Sequence, residues 1–344
     1  MSNILLTLAE EVGATTECHF AVRYPVDEND CFDFAAGLKE LGHKVYFVNW
    51  RDLDLENEPD PKKVQFNRMF DYQNSCFVKP LALSDFALVF VYKMEGFYFD
   101  LPRFFNMVST FEKNIPIVVN HPSTIRHNIN KTYLFQLQQH GVNVGIPYTL
   151  EEAVEQRLRH NQPCVIKPIF GERGNNVLLA KTVSDLEKIK GKEKEFLAQE
   201  FMPEIRQGEK SLAFLGFDFQ HAVIKRPNKD NLDEFRCNES LGGTVEIYEP
   251  TKEELEYCAN LLKVYESFGC PIHFSRIDFV TTDSGPKLVE GELLNPSIYA
   301  NYSKKGPQFG KAIGNYFDRL LRAWQQTMIN VETKKSISGV RLSD

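Results

Sequence analysis

The chain has 344 residues, 42% of them apolar and 25% charged, with a formal net charge of -7. That length suits two or three packed units, and the acidic balance argues against a nucleic-acid partner, whose phosphates ask for a basic surface. The longest apolar runs, such as Phe86 to Tyr92, are strand-sized and too short to span a membrane.

The start, Met1 to Gly13, lacks a basic region and soon meets Glu10 and Glu11, so no signal peptide is expected and the chain is assigned to the cytoplasm. Ile4 to Leu8 reads as a strand, Asp30 to Leu41 as an amphipathic helix closed by Gly42, and Lys44 to Val48 and Phe86 to Tyr92 as further strands. A helix over Leu101 to Lys113 leads to a strand over Pro116 to Asn120. Strands alternating with helices imply a mostly parallel, doubly wound sheet over 1–125. No G-x-G-x-x-G follows the first strand, so a dinucleotide site is not supported. Helices follow at Asn130 to His140 and Glu151 to His160, then strands at Cys164 to Pro168, Asn176 to Lys181 and Glu195 to Met202. Lys210 to Arg226 reads as two strands turning near Gly216, and Glu253 to Phe268 as a long helix. His273 to Val280 and Lys287 to Leu294 form a hairpin around residues 283–286. A closing helix spans Gln308 to Gln326, and the polar tail 331–344 is expected to be disordered. Seven cysteines, Cys18, Cys31, Cys76, Cys164, Cys237, Cys258 and Cys270, show no C-x-x-C pair and read as reduced thiols.

The sharpest chemical signal lies on the last hairpin. Glu290 and Glu292 are two apart on a strand and share a face, and pairing across the turn sets Asp278 opposite one of them. Three converging carboxylates without His or Cys suit Mg²⁺ shared with phosphates; the alternative is a polar strand face in water. Lys167 interrupts an apolar strand and can reach phosphates, or solvent. The loop after it carries Gly171, Glu172, Arg173 and Gly174, whose backbone amides can cradle phosphates, though it is no Walker A loop. Lys131 opens a helix. Gln199 to Pro203 is a strand end whose backbone, at Glu200, Phe201 and Met202, can meet a base. Lys225, Arg226 and Arg236, followed by Asn238, form a basic cluster suited to a carboxylate or a phosphoryl group, or a solvated loop.

In this order these pieces resemble the ATP-grasp superfamily, most of all bacterial glutathione synthetase, over about Phe32 to Ser297. Gly208 to Phe219, Phe235 to Gly243 and Val289 to Tyr299 look closer to the cycloserine-forming ATP-grasp ligases. The resemblance implies an α/β ATP-grasp fold: an N-terminal doubly wound sheet (1–125), a central subdomain (126–200) and a C-terminal subdomain with the metal site (201–330), the last two clamping the nucleotide. It implies that Lys131, Lys167, Gly171, Arg173 and Gly174 hold ATP phosphates, that Glu200, Phe201 and Met202 hold adenine, and that Glu209 meets the ribose. Asp278, Glu290 and Glu292 would hold Mg²⁺, as two ions replaceable by Mn²⁺. Arg236, Lys225 and Arg226 would serve the reacting group, with Asn238, Asn295, Ser297 and Tyr299 facing substrate and Lys93 near the acceptor. The segment Lys229 to Leu241 would close over it.

The implied reaction joins a small-molecule carboxylate to an amine through an acyl phosphate, without nucleic acid or membrane. Relatives often form homo-oligomers, although no interface is legible here. Ring closure or peptide modification, and ATP binding without catalysis, are the alternatives. The sequence departs from glutathione synthetase in four places: Glu172 and Arg173 stand where glycines are usual, Lys210 near an arginine position, Glu292 for asparagine, and Ala300 for arginine. These changes touch substrate and phosphate contacts more than the fold.

Overall fold

The structure, a computed structural model, describes residues 2–8, 29–55, 64, 66–231, 233–294, 296–302 and 308–339. It divides into two compact units, one of Met1–Met94, Arg103–Val119 and Lys305–Asp344, the other of Glu95–Pro102 and Asn120–Lys304.

The first unit opens with β1 (Asn3–Leu8), α1 (Asn29–Glu40), β2 (Lys44–Asn49), β3 (Met69–Asp71), β4 (Cys76–Val78) and β5 (Leu88–Phe90), followed by α2 (Leu101–Asn114) and β6 (Ile117–Val119). The sheet order is β4-β3-β2-β1-β5-β6. β2, β1, β5 and β6 run parallel, as the strand–helix alternation requires. β3 and β4 add an antiparallel extension that the sequence does not announce, because strands of three residues are too short for a legible period. Ile4, Leu5, Val45, Phe47, Leu88 and Val89 are buried, the near-continuous apolar runs of a sheet covered on both faces.

In the second unit come α3 (Pro122–Asn128), α4 (Tyr133–Gln139), β7 (Pro147–Tyr148), α5 (Leu150–Gln156), β8 (Cys164–Pro168), β9 (Leu178–Ala180) and β10 (Phe196–Glu200). Strands β7-β10-β8-β9 form a four-stranded sheet. Its back packs Cys164, Ile166, Ala180 and Ala198 against Ala153 of α5. Thr149 caps α5, its hydroxyl accepting from the Glu152 amide while Glu152 returns the bond. Then follow β11 (Glu209–Leu215), β12 (Asp218–Arg226), β13 (Thr244–Tyr248), α6 (Lys252–Ser267), β14 (Phe274–Thr282) and β15 (Gly285–Glu292). These strands make an antiparallel five-stranded sheet, β13-β12-β11-β14-β15, with Leu212, Phe214, Ile277 and Phe279 packed on Leu261, Leu262 and Tyr265 of α6. The sequence does not announce β13, since Thr244, Glu246 and Ile247 are exposed and give no apolar face.

The closing helix corrects the sequence reading twice. α7 (Gln308–Gly339) belongs to the first unit, not to the C-terminal subdomain, and packs on α1. The helices approach so closely that a Cβ on Gly310 would lie 2.1 Å from the Asp33 carbonyl oxygen and one on Gly37 2.2 Å from that of Gly310. The helix also continues through 331–339, where a disordered tail was expected, because no proline or glycine interrupts the stretch from Asn315 to Ser338. Residues 340–344 lie outside the described residues. Among the described residues no helix is long and apolar enough to cross a membrane.

Candidate active site

Strand alternation gives the five-stranded sheet two unlike faces. One parity buries apolar side chains on α6; the other sets Glu209 and Ser211 of β11, Lys225 of β12, Arg276 and Asp278 of β14, and Glu290 and Glu292 of β15 on a common surface. Register confirms the expected juxtaposition: Asp278 lies opposite Glu290, and Arg276 opposite Glu292. Ser211 lies opposite Asp278, and Glu209 opposite Lys225. Between the two glutamates, Gly291 leaves the opposite face to Tyr265, whose hydroxyl oxygen a Cβ would approach to 2.4 Å. Buried amides fix the strand ends. Asn120 donates to the Phe274 and Leu293 carbonyls at 2.5 and 2.6 Å, and Asn128 to Gly291 at 2.7 Å.

The three predicted metal carboxylates are therefore neighbours, but cations separate them. Asp278 accepts from Ser211 Oγ at 2.7 Å, from Arg276 Nε at 2.8 Å and Nη2 at 2.7 Å, and from Lys225 Nζ at 3.3 Å. Among the described residues no group of three His, Cys, Asp or Glu side chains is disposed to hold a metal. Both Asp278 oxygens are engaged, so the donor set open to a cation is Glu290 with Glu292, two hard oxygen ligands of the kind Mg²⁺ takes. Lys131 donates to Glu290 and Arg276 reaches Glu292 at 3.2 Å. Burial pushes Glu292 up to about 7, Arg276 opposing and Glu290 reinforcing. Burial also works against Asp278 and Glu290, yet Arg276 and Lys225 hold the first, and Lys131 and Lys167 the second, below the usual carboxylate range.

The four-stranded sheet brings the phosphate candidates. Val165 and Lys167 share the face of β8 opposite to Ile166, which is buried against α5. Lys167 is 5% exposed, and its ammonium makes no hydrogen bond or ion pair among the described residues. Burial pulls it down to about 8, against Glu290 and with Lys131. Lys131 is tied to the same region by its amide, which donates to the Ile169 carbonyl at 3.0 Å. Burial lowers Lys131 too, but Glu290 and Glu292 outweigh it and leave the pKa raised. Beyond the charges, Val165, Val177, Leu179, Phe201, Met202, Val280 and Val289 form an apolar cluster joining the two sheets. A cavity of about 410 Å³, lined in part by Leu179, Lys181, Phe201 and Arg206, adjoins it. Here the Phe201 carbonyl and the Met202 amide have no hydrogen-bond partner among the described residues. The Glu200 carboxylate is taken, accepting from Lys287 Nζ at 2.8 Å and the Ile146 amide at 3.2 Å.

Other sequence candidates fall in different places. Arg236 forks onto Glu234 and donates to the Gly174 carbonyl at 3.1 Å, so it holds the glycine loop. Asn238 Oδ1 lies by the same glycine, while Gly171 packs over Pro168. Glu209 is buried on Lys225 at 3.3 Å, turned to a cation and not left free for a ribose. Tyr299 sets its ring 5.9 Å from Lys225 Nζ and 5.7 Å from Arg276 Cζ, and the Ser297 carbonyl accepts from Arg276 at 2.6 Å. Arg226 is not brought to the site: one residue on from Lys225, it faces the other way, pairing with Glu246 at 2.7 Å and the Gln207 carbonyl at 3.1 Å. Lys210 is likewise on the back face, on Glu254 at 2.7 Å. Asn295 lies outside the described residues, and Lys93 belongs to the first unit. The sequence reading missed Arg276. Its spacing of two before Asp278 on a strand was the available signal, the same signal that joined Glu290 to Glu292.

Residues 131–298 match the family described as prokaryotic glutathione synthetase, ATP-grasp domain. The chain is 27% identical over 282 residues to a glutathione synthetase of Synechococcus elongatus, covering 74% of this chain and 82% of that one. It is 28% identical over 189 residues to one of Synechocystis sp., covering 53% of this chain and only 55% of that relative's length. In fold it is similar to the crystal structure of D-cycloserine synthetase DcsG, with a TM-score of 0.68 at 16% identity, over 93% of this chain and 99% of that one. The chain has the ATP-grasp fold, and over residues 131–298 it resembles the prokaryotic glutathione synthetases.

Proposed function

We propose that the second unit binds ATP between its two sheets and uses it to join a carboxylate to an amine, with ADP and phosphate as by-products. The observation that carries this reading is Lys167, a buried ammonium without a hydrogen bond or ion pair among the described residues, beside Lys131 and near Glu290 and Glu292. A buried cation is costly unless an anion completes it, and a polyphosphate does so. The apolar cluster supplies walls for a base. The Phe201 carbonyl accepts from the exocyclic amine of adenine, and the Met202 amide donates to its ring nitrogen. Glu200, held by Lys287, shapes this edge without touching the base.

Lys131 moves from Glu290 to a phosphate oxygen when the nucleotide enters. Glu290 and Glu292 would hold Mg²⁺, which draws negative charge off the phosphates when bound. A substrate carboxylate oxygen then attacks the γ-phosphorus and ADP leaves, giving an acyl phosphate. Arg276 and Lys225 face the charge that develops there. The amine attacks the carbonyl carbon and gives up a proton, and phosphate departs with the former carboxylate oxygen. Arg236 holds the loop that excludes water from the mixed anhydride.

The test is a screen for ADP release against amino acids and dipeptides, with the product mass measured. Release that needs both an acid and an amine supports the reading. ATP bound without ADP release for any pair overturns the ligase and leaves a binding module. A second reading, ring closure or modification of a peptide, draws on Glu292 and Ala300, which stand where glutathione synthetase-like motifs carry asparagine and arginine; turnover without added amine selects it.

A further inference from the structure

The loop between β8 and β9 has an unusual construction. Arg173, Gly174 and Asn176 all take left-handed backbone conformations, at φ 56°, 69° and 57°. Glycine adopts that region freely and asparagine tolerates it, but arginine is strained there. The strain persists only if surrounding contacts hold it, and those contacts come from the segment Glu95–Pro102, which packs within the second unit although its chain neighbours belong to the first. The Gly96 amide donates to Glu172 Oε1 at 2.7 Å, and the Arg173 guanidinium pairs with Glu95. Within the loop the Asn175 amide donates to the Glu172 carbonyl at 3.0 Å. On its other side Arg236 holds the Gly174 carbonyl.

We infer that residues 95–96 are a strap that sets the phosphate-binding conformation of this loop, with Glu95, Glu172 and Arg173 as positioning residues, not phosphate ligands. Where freely rotating glycines would close on a nucleotide only as it binds, this loop is held in place beforehand from outside. Its side chains at 172 and 173 are spent on the strap, which leaves the backbone amides to face the nucleotide. The inference rests on the reading above that ATP occupies this cleft.

Binding of ATP with Mg²⁺, measured by calorimetry on the full chain, tests it with Glu95→Gln, Arg173→Gly and their combination. Each single variant is expected to bind ATP about tenfold more weakly, the double no worse than either, as for two halves of one contact. The melting temperature of the nucleotide-free protein stays unchanged. If Glu95→Gln lowers it, Arg173→Gly, which removes the left-handed strain, gives the affinity reading without that loss. Unchanged or tighter binding by Glu95→Gln overturns the strap, because a released Arg173 would then be serving the phosphates directly. So does a double variant with the two losses added. A wild-type chain that binds no ATP brings down the nucleotide reading itself, and the strap with it; a wild type that binds while Glu95→Gln binds equally well brings down the strap alone.

Discussion

The two faces of the five-stranded sheet are built by the same strands and obey opposite rules. Behind it, Leu212, Phe214, Ile277 and Phe279 meet α6 and exclude water. In front, charged groups alternate in sign, Glu209, Lys225, Asp278, Arg276 and Glu292 each touching an opposite charge. The back face gains stability by burying apolar area. The front face spends much of its interaction on offsetting the desolvation of its own charges, so it contributes little stability and holds geometry instead. Lys167, on the neighbouring sheet, takes this furthest, being buried without a hydrogen bond or ion pair among the described residues. The lesson is that one residue of register separates a packing position from a chemical one.

The largest effect expected from breaking this division is on the front. Glu290→Gln keeps the shape and removes the charge shared by Lys131 and Lys167. Turnover should fall at least about 100-fold while the thermal melt stays cooperative; a variant with ordinary turnover would remove Glu290 from the chemistry.

Next comes Lys167→Met, expected to weaken ATP binding at least about tenfold and to raise the melting temperature of the nucleotide-free protein at neutral pH. The sign follows from its pKa, lowered from 10.5 to about 8. Between these values the unfolded chain holds the proton and the folded chain does not, so this group makes stability rise with pH across that window. Below it the charged ammonium is a standing cost, which methionine removes. ATP affinity of the wild type should decline as pH rises through about 8, where the cation is lost. Calorimetry at several pH values, with thermal melts of both proteins, checks all three.

On the back face, Gly291→Ala should destabilise by about 1–3 kcal/mol through the crowded Tyr265 hydroxyl, and adding Tyr265→Phe should recover part of it. Denaturant titration reads both, and a single variant as stable as wild type would show that the tyrosine moves freely. The smallest effect belongs to Arg226→Ala. Its exposed pair with Glu246 contributes about 0–1 kcal/mol, and turnover should stay within about twofold. A large loss of turnover would mean that the back-face position of Arg226 does not exclude it from the reaction.

Much of this was legible beforehand. The spacing of Glu290 and Glu292 and the turn before them gave the face and the partner, because a strand has a strict period of two. The long helix read over Glu253 to Phe268 was legible from its apolar stripe, and the structure places it at Lys252–Ser267. Arg226 was misplaced because adjacency in sequence suggested a shared role with Lys225, whereas neighbours on a strand face apart. Glu200 and Glu209 were assigned to the nucleotide by motif, and only packing shows their carboxylates already engaged by Lys287 and Lys225.

The sequence alone determined what depends on local periodicity and on motif order: the alternating α/β start, the acidic hairpin, the lysine strand and the family resemblance. The tertiary structure decided what depends on residues far apart: Lys225 and Ser211 closing on Asp278, the strap from Glu95 onto Arg173, and α7 returning to α1. These partners lie far apart in sequence, and no local pattern records which distant charge will neutralise a buried one. That choice is made by the packing that brings the strands together, since a carboxylate taken out of water must find its cation wherever the fold supplies it.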